Sequence, residues 1–245
     1  MNIADTIKGI IRAPIAIVVS LVHDPRSIKF AHLWIRSLLP GRDSLSDQVP
    51  WITFKAGEWL DSYLKPYMRV FEYGSGGSTV YIPRRVSELI SVEHDKGWYN
   101  RISAVLSDEG ITNCKYILCE SEEIISEEIP TYGLRSYTCV GKAGEGLSFK
   151  KYVKTIEEYP DGVFDLVFID GVARPSCVPT AVRKVRTGGY LMLDDSEMPH
   201  YRDVMSFMSD YKRNDFFGIN PYTTRFKQTS VWEIKPKETG TNIRP

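Results

Sequence analysis

The chain has 245 residues, which is enough for one α/β domain with an appended segment and a sizeable core. Lysine plus arginine and aspartate plus glutamate number 31 each, so bulk charge provides no electrostatic attraction to nucleic acid or to an anionic membrane. The cysteines form no C-x-x-C pair, and no histidine accompanies them at zinc spacing. We therefore expect one main domain with buried thiols in a reducing compartment, and no nucleic-acid partner.

The first 40 residues differ from the rest of the chain. Lys8 and Arg12 precede an apolar run that ends at Val22, a pattern that superficially resembles a signal peptide. The run is too short to span a bilayer as a helix, and no small-residue cleavage site follows it. We expect a helix broken at Pro14 that packs on the main domain or mediates dimerisation with a second subunit. The alternative is peripheral attachment to a membrane surface through residues 1–40.

The next elements combine into a ligand-binding pattern. Apolar residues at helical spacing predict a helix within Trp51–Leu64, followed by a strand at Met68–Tyr73. A glycine-rich turn over residues 74–79 and a second strand, Ser87–Glu93, come next. A turn so poor in side chains lets backbone N–H groups approach a ligand, and the terminal acid of the second strand can accept hydrogen bonds from ribose hydroxyls. The pairing predicts a nucleoside-binding α/β domain.

Further short apolar runs predict the remaining strands of a sheet. The predicted elements are a crossover helix carrying Arg84 and Arg85, a helix at Trp98–Leu106, strands at Cys114–Cys119, Phe164–Ile169 and Gly188–Leu193, a helix at Pro199–Tyr211 and a closing strand at Gln228–Ile234. In open α/β sheets the ligand lies outside the carboxyl ends of the strands. Asp170, Asp194 and Asp195 should therefore share one rim with Gly74 and Glu93.

The spacing of the glycines distinguishes between nucleoside ligands. A dinucleotide fingerprint requires G-x-G-x-x-G, and the position of the third glycine is here occupied by Thr79. The segment Glu72-x-Gly74-x-Gly76 instead resembles motif I of the class I S-adenosylmethionine (AdoMet)-dependent methyltransferases. The third glycine of that family falls at Ser78, which keeps a small residue.

This resemblance covers roughly residues 51–234 and implies a doubly wound, mostly parallel seven-strand sheet of the Rossmann-like methyltransferase fold. By resemblance, Glu72 lies near the methionine amino group of AdoMet, Gly74 and Gly76 let the cofactor lie against the backbone, and Glu93 holds the ribose. The other cofactor contacts that the resemblance implies are Ser75, Ser78, His94, Glu120, Ser121, Asp170 and Trp51. A cytoplasmic location is expected, because AdoMet is made and kept in the cytosol.

Two of these implied contacts have equally simple structural interpretations. Trp51 lies on a helix that commonly walls the cofactor pocket in the resembled family, but an aromatic residue there also packs in the core. Glu120 and Ser121 are placed where the family contacts adenine, but acids also end strands because they are well solvated.

The predicted domains are a helical extension over residues 1–45, a methyltransferase domain over 46–235 and a polar tail over 236–245. Residues 121–159 form an insertion that is long for a compact domain. Its tyrosines at 132 and 137 and its arginine at 135 favour a lid over the methyl acceptor. Docking of a partner subunit is the alternative.

Methyl transfer from a sulfonium is an in-line displacement that needs a positioned nucleophile and, for a hydroxyl, a proton acceptor. The candidate catalytic residues are Asp170, Asp194 and His200, with Asp170 first because it ends the strand nearest the expected methyl group. The alternative is that Asp170 caps the turn into the next helix. Arg174 is a candidate for binding a carboxylate or phosphate on the acceptor.

The three rim acids also resemble the ligands of the magnesium-dependent O-methyltransferases. Asp170, Asp194 and Asp195 would then hold magnesium (Mg2+), because carboxylate oxygens suit a hard divalent cation. The alternative is that Asp195 starts a helix as its N-cap, with Glu197 favoured by the helix dipole.

The sequence therefore predicts an AdoMet-dependent methyltransferase that acts on a small-molecule or glycan-precursor acceptor. Transfer to oxygen is favoured, because the resembled N-methyltransferases often carry Asn/Asp-Pro-Pro-Tyr where this chain reads Ile169-Asp-Gly-Val172. A sugar or glycolipid precursor is suggested by the bacterial branch that the motifs resemble. The alternatives are an inactive AdoMet-binding interaction module, disfavoured by the rim acids, and a nicotinamide-dependent reductase, disfavoured by Glu72 and Thr79.

Overall fold

Strands from all parts of the main domain meet in one central sheet. The structure is a computed structural model that describes residues 25–124, 132–139 and 144–235. The seven sheet strands found in those ranges are β1 (Arg69–Tyr73), β2 (Glu88–Glu93), β3 (Cys114–Leu118), β4 (Phe164–Ile169), β5 (Val185–Leu193), β6 (Lys212–Ile219) and β7 (Phe226–Glu233). Their order is β3-β2-β1-β4-β5-β7-β6. Strands β1 to β5 pair in parallel, and β7 runs antiparallel to both β5 and β6. The predicted doubly wound, mostly parallel seven-strand sheet is confirmed.

Helices cover both faces of this sheet. They are α1 (Ala31–Ser37), α2 (Phe54–Tyr63), α3 (Gly77–Tyr81), α4 (Lys96–Asp108), α5 (Lys150–Lys154), α6 (Arg174–Lys184) and α7 (Arg202–Phe207), with 3-10 turns at Pro25–Phe30, Pro83–Arg85, Thr155–Glu158 and Pro199–Tyr201. A short antiparallel pair joins Glu122–Glu123 to Leu147–Ser148 beside the main sheet.

Alternate residues of the central strands face opposite layers of helices. Val70 of β1 packs in a cluster with Leu60 of α2, whereas the next residue, Phe71, packs with residues of α5 and α6. Every residue of β4 is buried. A parallel strand covered on both faces needs apolar residues at successive positions, which explains the continuous apolar runs in the sequence.

The end of the predicted insertion belongs to the core. Phe149, Tyr152, Val153 and Ile156 are all at most 2% exposed and pack in the cluster on the α6 side of the sheet. Their spacing of i, i+3, i+4 and i+7 places them on one helical face. The lid prediction for residues 121–159 is therefore wrong over 149–156, which form the crossover from β3 to β4. Residues 125–131 and 140–143 of the predicted lid lie outside the described residues.

The described part of the N-terminal extension packs on the main domain. Trp34 of α1 is completely buried, in a cluster with Phe30, Leu38 and Ile219. The Trp34 indole Nε1 donates to the Thr223 carbonyl at 2.8 Å. The predicted helix with its break at Pro14, like the tail over 236–245, lies outside the described residues, so the packing of that helix stays a prediction. No helix in the described ranges is long and apolar enough to cross a membrane.

Prediction and structure differ at three elements. Arg84 and Arg85, expected on a crossover helix, lie in the 3-10 turn Pro83–Arg85. The helix expected at Pro199–Tyr211 is a 3-10 turn followed by α7, and it ends at Phe207. The strand β6 was not predicted, because its first four residues are charged or polar and exposed. A strand at the edge of a sheet tolerates charged residues, which removes the apolar alternation that identifies other strands.

We predict that Ile156→Ala lowers the free energy of unfolding by about 2–5 kcal/mol, because a completely buried side chain leaves a cavity when it is truncated. Chemical denaturation monitored by circular dichroism measures the change. Glu158→Ala, at an exposed position two residues away, is the matched control and should change stability by less than about 0.5 kcal/mol. A small effect at Ile156 would mean that residues 149–156 form a peripheral lid.

Candidate functional site

The glycine turn after β1 is enclosed between two other segments. Gly74 has a φ of +87°, and a Cβ built on it would lie 2.4 Å from the Cα of Gly171, at the end of β4. A Cβ on Gly77 would lie 2.0 Å from the Ser44 carbonyl oxygen and 2.3 Å from that of Val49. Side chains at these positions would separate the turn from its neighbours. Residues 44–49, at the predicted boundary between the helical extension and the methyltransferase domain, therefore line one side of the turn.

Glu93 ends β2 beside this turn and is only 3% exposed. Its Oε2 accepts from the Ser75 N–H at 3.0 Å and the Ser75 hydroxyl at 2.7 Å. Its Oε1 accepts from the backbone N–H groups of His94 at 2.8 Å and Asp95 at 2.9 Å. Burial raises the pKa of Glu93, but these bonds and the His94 side chain outweigh burial and lower the pKa to about 2. The carboxylate is therefore charged at neutral pH.

Two aromatic residues hold Ser75 in place. The Tyr116 hydroxyl of β3 lies 2.7 Å from the Ser75 hydroxyl. The Trp98 Nε1 of α4 donates to the Ser75 carbonyl at 2.8 Å. These contacts could not be predicted from sequence, because they depend on how β1, β3 and α4 meet in the fold.

Glu72 lies completely buried beneath the turn. Its Oε2 accepts from the hydroxyls of Thr79 at 2.7 Å and Ser91 at 2.6 Å. Burial is the main cause that raises its pKa to about 7, against the lowering effect of the Ser78, Ser91 and Thr79 hydroxyls. Its Oε1 has no hydrogen-bond partner among the described residues. One oxygen thus braces the first turn of α3, and the other is an unsatisfied acceptor.

Arg174 joins the ends of β4 and β5 into one rim. Its side chain is 15% exposed, and its NH2 lies 3.1 Å from Asp170 Oδ1. The same guanidinium donates to the carbonyls of Gly171 and Asp194, each at 2.8 Å. Burial and the nearby Asp195 raise the pKa of Asp170 to about 7, despite the opposing charge of Arg174. The prediction that Asp170 shares the rim with Gly74 agrees with the close approach of Gly171 to Gly74.

Asp194 and Asp195 point to different partners. Asp194 is 3% exposed and accepts from the Thr229 hydroxyl at 2.6 Å, and burial raises its pKa well above the usual range. Asp195 has a φ of +55° and bridges Lys227 and Arg174. In the described ranges, no three His, Cys, Asp or Glu side chains are grouped to hold a metal ion. Magnesium is not supported, because Asp170 and Asp195 are paired with Arg174 and Lys227, and Asp194 is bound to the Thr229 hydroxyl.

An aromatic group stands beside the rim. The exposed His200 ring contacts Tyr132 edge-on with ring centroids 5.1 Å apart, and Tyr201 at 4.4 Å. Partial burial and Arg174 lower the pKa of His200, so it is neutral at pH 7. Of the residues predicted to form the lid, Tyr132 thus contacts the candidate catalytic residue His200, whereas Arg135 is exposed.

The remaining predicted cofactor contacts are spread around the turn. Ser78 is 5% exposed beside Glu72, and the His94 ring packs edge-on against Phe149. Glu120 is exposed and Ser121 half-buried at the end of β3. Trp51 is 48% exposed and contacts Tyr222. Two cavities of about 400 and 450 Å³ lie along α1 and α2. The carboxyl groups with shifted pKa values lie at the strand ends, so we place the candidate site there.

Comparison with solved structures shows which fold this is. An rRNA methylase from Streptococcus thermophilus is similar, with 12% sequence identity, a TM-score of 0.51 and coverage of 74% of this chain and 95% of that one. A methyltransferase from Geobacter sulfurreducens has 10% identity, a TM-score of 0.51 and coverage of 83% and 96%. The chain has the fold of these methyltransferases. No family model matches its sequence, and no match is found among curated proteins. The methyltransferase fold thus persists here at very low sequence identity.

We predict that Glu93 stabilises the fold in a pH-dependent way. Its pKa falls from 4.5 to about 2 on folding, so its contribution is present above pH 4.5 and is lost as the pH falls through 2. The stability difference between wild type and Glu93→Gln should be larger at pH 5 than at pH 3 by about 2 kcal/mol. Urea unfolding at both pH values measures it. An equal difference at the two pH values would show that Glu93 is not held ionised.

Proposed function

We propose that this protein is an AdoMet-dependent methyltransferase that methylates a hydroxyl oxygen of a small-molecule acceptor, such as a sugar or glycolipid precursor. The observation that carries the proposal is the ionised Glu93 carboxylate, held against Ser75 of the glycine turn at the carboxyl edge of a methyltransferase-type sheet. The edge itself is the usual ligand position in open α/β sheets.

The residues present fit this cofactor. The Ser75 hydroxyl already donates to Glu93, which is the kind of bond that a ribose hydroxyl makes to a carboxylate. The unsatisfied Oε1 of Glu72 is an acceptor for an amino group, and an unpaired buried oxygen is costly without a donor. Glu93 would therefore hold the ribose and Glu72 would face the amino group.

AdoMet supplies, when bound, an electrophilic methyl group on a sulfonium. Asp170 is the group of this chain that would accept the proton of the acceptor hydroxyl, because its pKa of about 7 suits a base near neutral pH. Arg174 fixes the Asp170 carboxylate at 3.1 Å and ties it to the end of β5. Its guanidinium is occupied within the rim, so it positions Asp170 and is not left to bind an acidic acceptor.

The acceptor would lie between Asp170 and the aromatic group of Tyr132, His200 and Tyr201. Aromatic faces and a neutral histidine suit an uncharged, hydroxylated molecule, since they offer apolar surface with polar edges. The rRNA specificity of one structure with this fold does not favour an RNA acceptor here, because the chain has no excess of positive charge.

We expect AdoMet and S-adenosylhomocysteine to raise the melting temperature, because a ligand selective for the folded state stabilises it. Glu93→Gln should weaken binding by about 1–3 kcal/mol through loss of a charged acceptor. Glu88→Gln, at the opposite end of β2, is the matched control and should bind normally. Isothermal titration calorimetry measures all three proteins. Titration with NAD tests the reductase alternative, and preferential NAD binding would contradict the proposal.

We expect Asp170→Asn to reduce turnover at least about a hundredfold while AdoMet affinity changes little, because a base acts on the reaction step. Wild-type turnover should rise as the pH increases through about 7, since Asp170 must be ionised to accept a proton. Mass spectrometry of a metabolite extract incubated with protein and methyl-deuterated AdoMet detects the product. Transfer that is independent of Asp170 would remove it as the base, and AdoMet binding without any labelled product would favour the inactive binding module.

A further inference from the structure

The outer face of the N-terminal segment is unusually apolar for a solvent-exposed surface. Of the eight large hydrophobic side chains that are exposed among the described residues, four lie here: Ile28 at 56%, Leu33 at 40%, Ile35 at 49% and Leu39 at 49%. The opposite side of the segment is anchored by buried Trp34. At helical spacing Ile28, Ile35 and Leu39 lie on one side of the segment together with His32 and Arg36, whereas Leu33 lies on the other side of Trp34. We call the surface formed by Ile28, His32, Ile35, Arg36 and Leu39 the α1 face.

Arg36 gives the α1 face a positive charge. The sequence contains no acidic residue between Pro25 and Arg42, and Glu58 of α2 is paired with Lys29 of this segment. Arg36 is exposed and forms no ion pair with any residue that the structure describes.

We propose that the α1 face binds the surface of an anionic lipid bilayer, independently of methyl transfer. Aliphatic side chains at a helix surface insert among lipid head groups, and neighbouring cations bind anionic lipids. A membrane-surface helix presents both features together, as this face does.

Two other occupants fit less well. A symmetric dimer through this face would place Arg36 opposite the same cationic patch, because a twofold interface pairs each surface with itself. Nucleic acid would satisfy the charge, but its single strands are bound by stacking on aromatic residues, and the exposed hydrophobic residues here are aliphatic.

Cosedimentation of the full chain with vesicles tests the proposal. Wild type should bind vesicles of phosphatidylcholine and phosphatidylglycerol, and it should bind phosphatidylcholine alone more weakly. The double variant Ile35→Gln, Leu39→Gln should lower the partition constant at least about tenfold, since two apolar side chains are lost from the interface. Arg36→Gln should lower it about fivefold for the mixed vesicles only.

The matched control is Phe207→Gln, which removes a 42% exposed hydrophobic side chain outside the α1 face and should leave binding unchanged. All substituted side chains are about half-exposed or more, so melting temperatures should stay close to wild type. Absence of wild-type binding, or equal loss in the control, would overturn the proposal. A dimer mass by light scattering that the double variant reduces to a monomer would assign the face to a second copy. Preferential binding of a duplex oligonucleotide would assign it to nucleic acid.

Discussion

The constraint that governs this structure is the crowding of acidic groups at one edge of the sheet. The carboxyl ends of four parallel strands bring five acids together, namely Glu72, Glu93, Asp170, Asp194 and Asp195. Two cations, Arg174 and Lys227, offset part of this charge by direct pairing. Burial raises the pKa of Glu72, Asp170 and Asp194, so these groups would be ionised more easily beside a ligand with positive charge. The sulfonium and ammonium groups of AdoMet have that sign.

The two glutamates of this edge show that local donors, and not residue type, decide protonation. Glu72 and Glu93 lie on adjacent strands and are both buried. Four hydrogen-bond donors from the backbone and Ser75 hold Glu93 ionised, whereas hydroxyls on one oxygen leave Glu72 easier to protonate. One strand end thus offers a fixed charge and its neighbour a titratable group, which suits two different contacts to one ligand.

The sequence was sufficient to predict those positions in the sheet that depend on short-range spacing. The turn after Tyr73 and the acid at Glu93 were predictable because each follows directly from its own strand. The hydrogen bonds of Arg174 to the carbonyls of Gly171 and Asp194 could not be predicted, because they depend on how the ends of β4 and β5 are aligned in the folded sheet. Helix α5 and the 3-10 turn after it were missed, although Phe149 and Ile156 have helical spacing, because all of residues 121–159 were interpreted as an insertion.

The hydrogen bond between Trp34 and Thr223 joins residues 189 positions apart. During synthesis at about 5–20 residues per second, the indole therefore waits roughly 10–40 s for its acceptor to leave the ribosome. Throughout that time Phe30, Trp34 and Leu38 lack the β6–β7 surface that buries them. Residues 30–38 are thus among the last to reach their native packing, and the nascent chain exposes this apolar patch until β7 has been made.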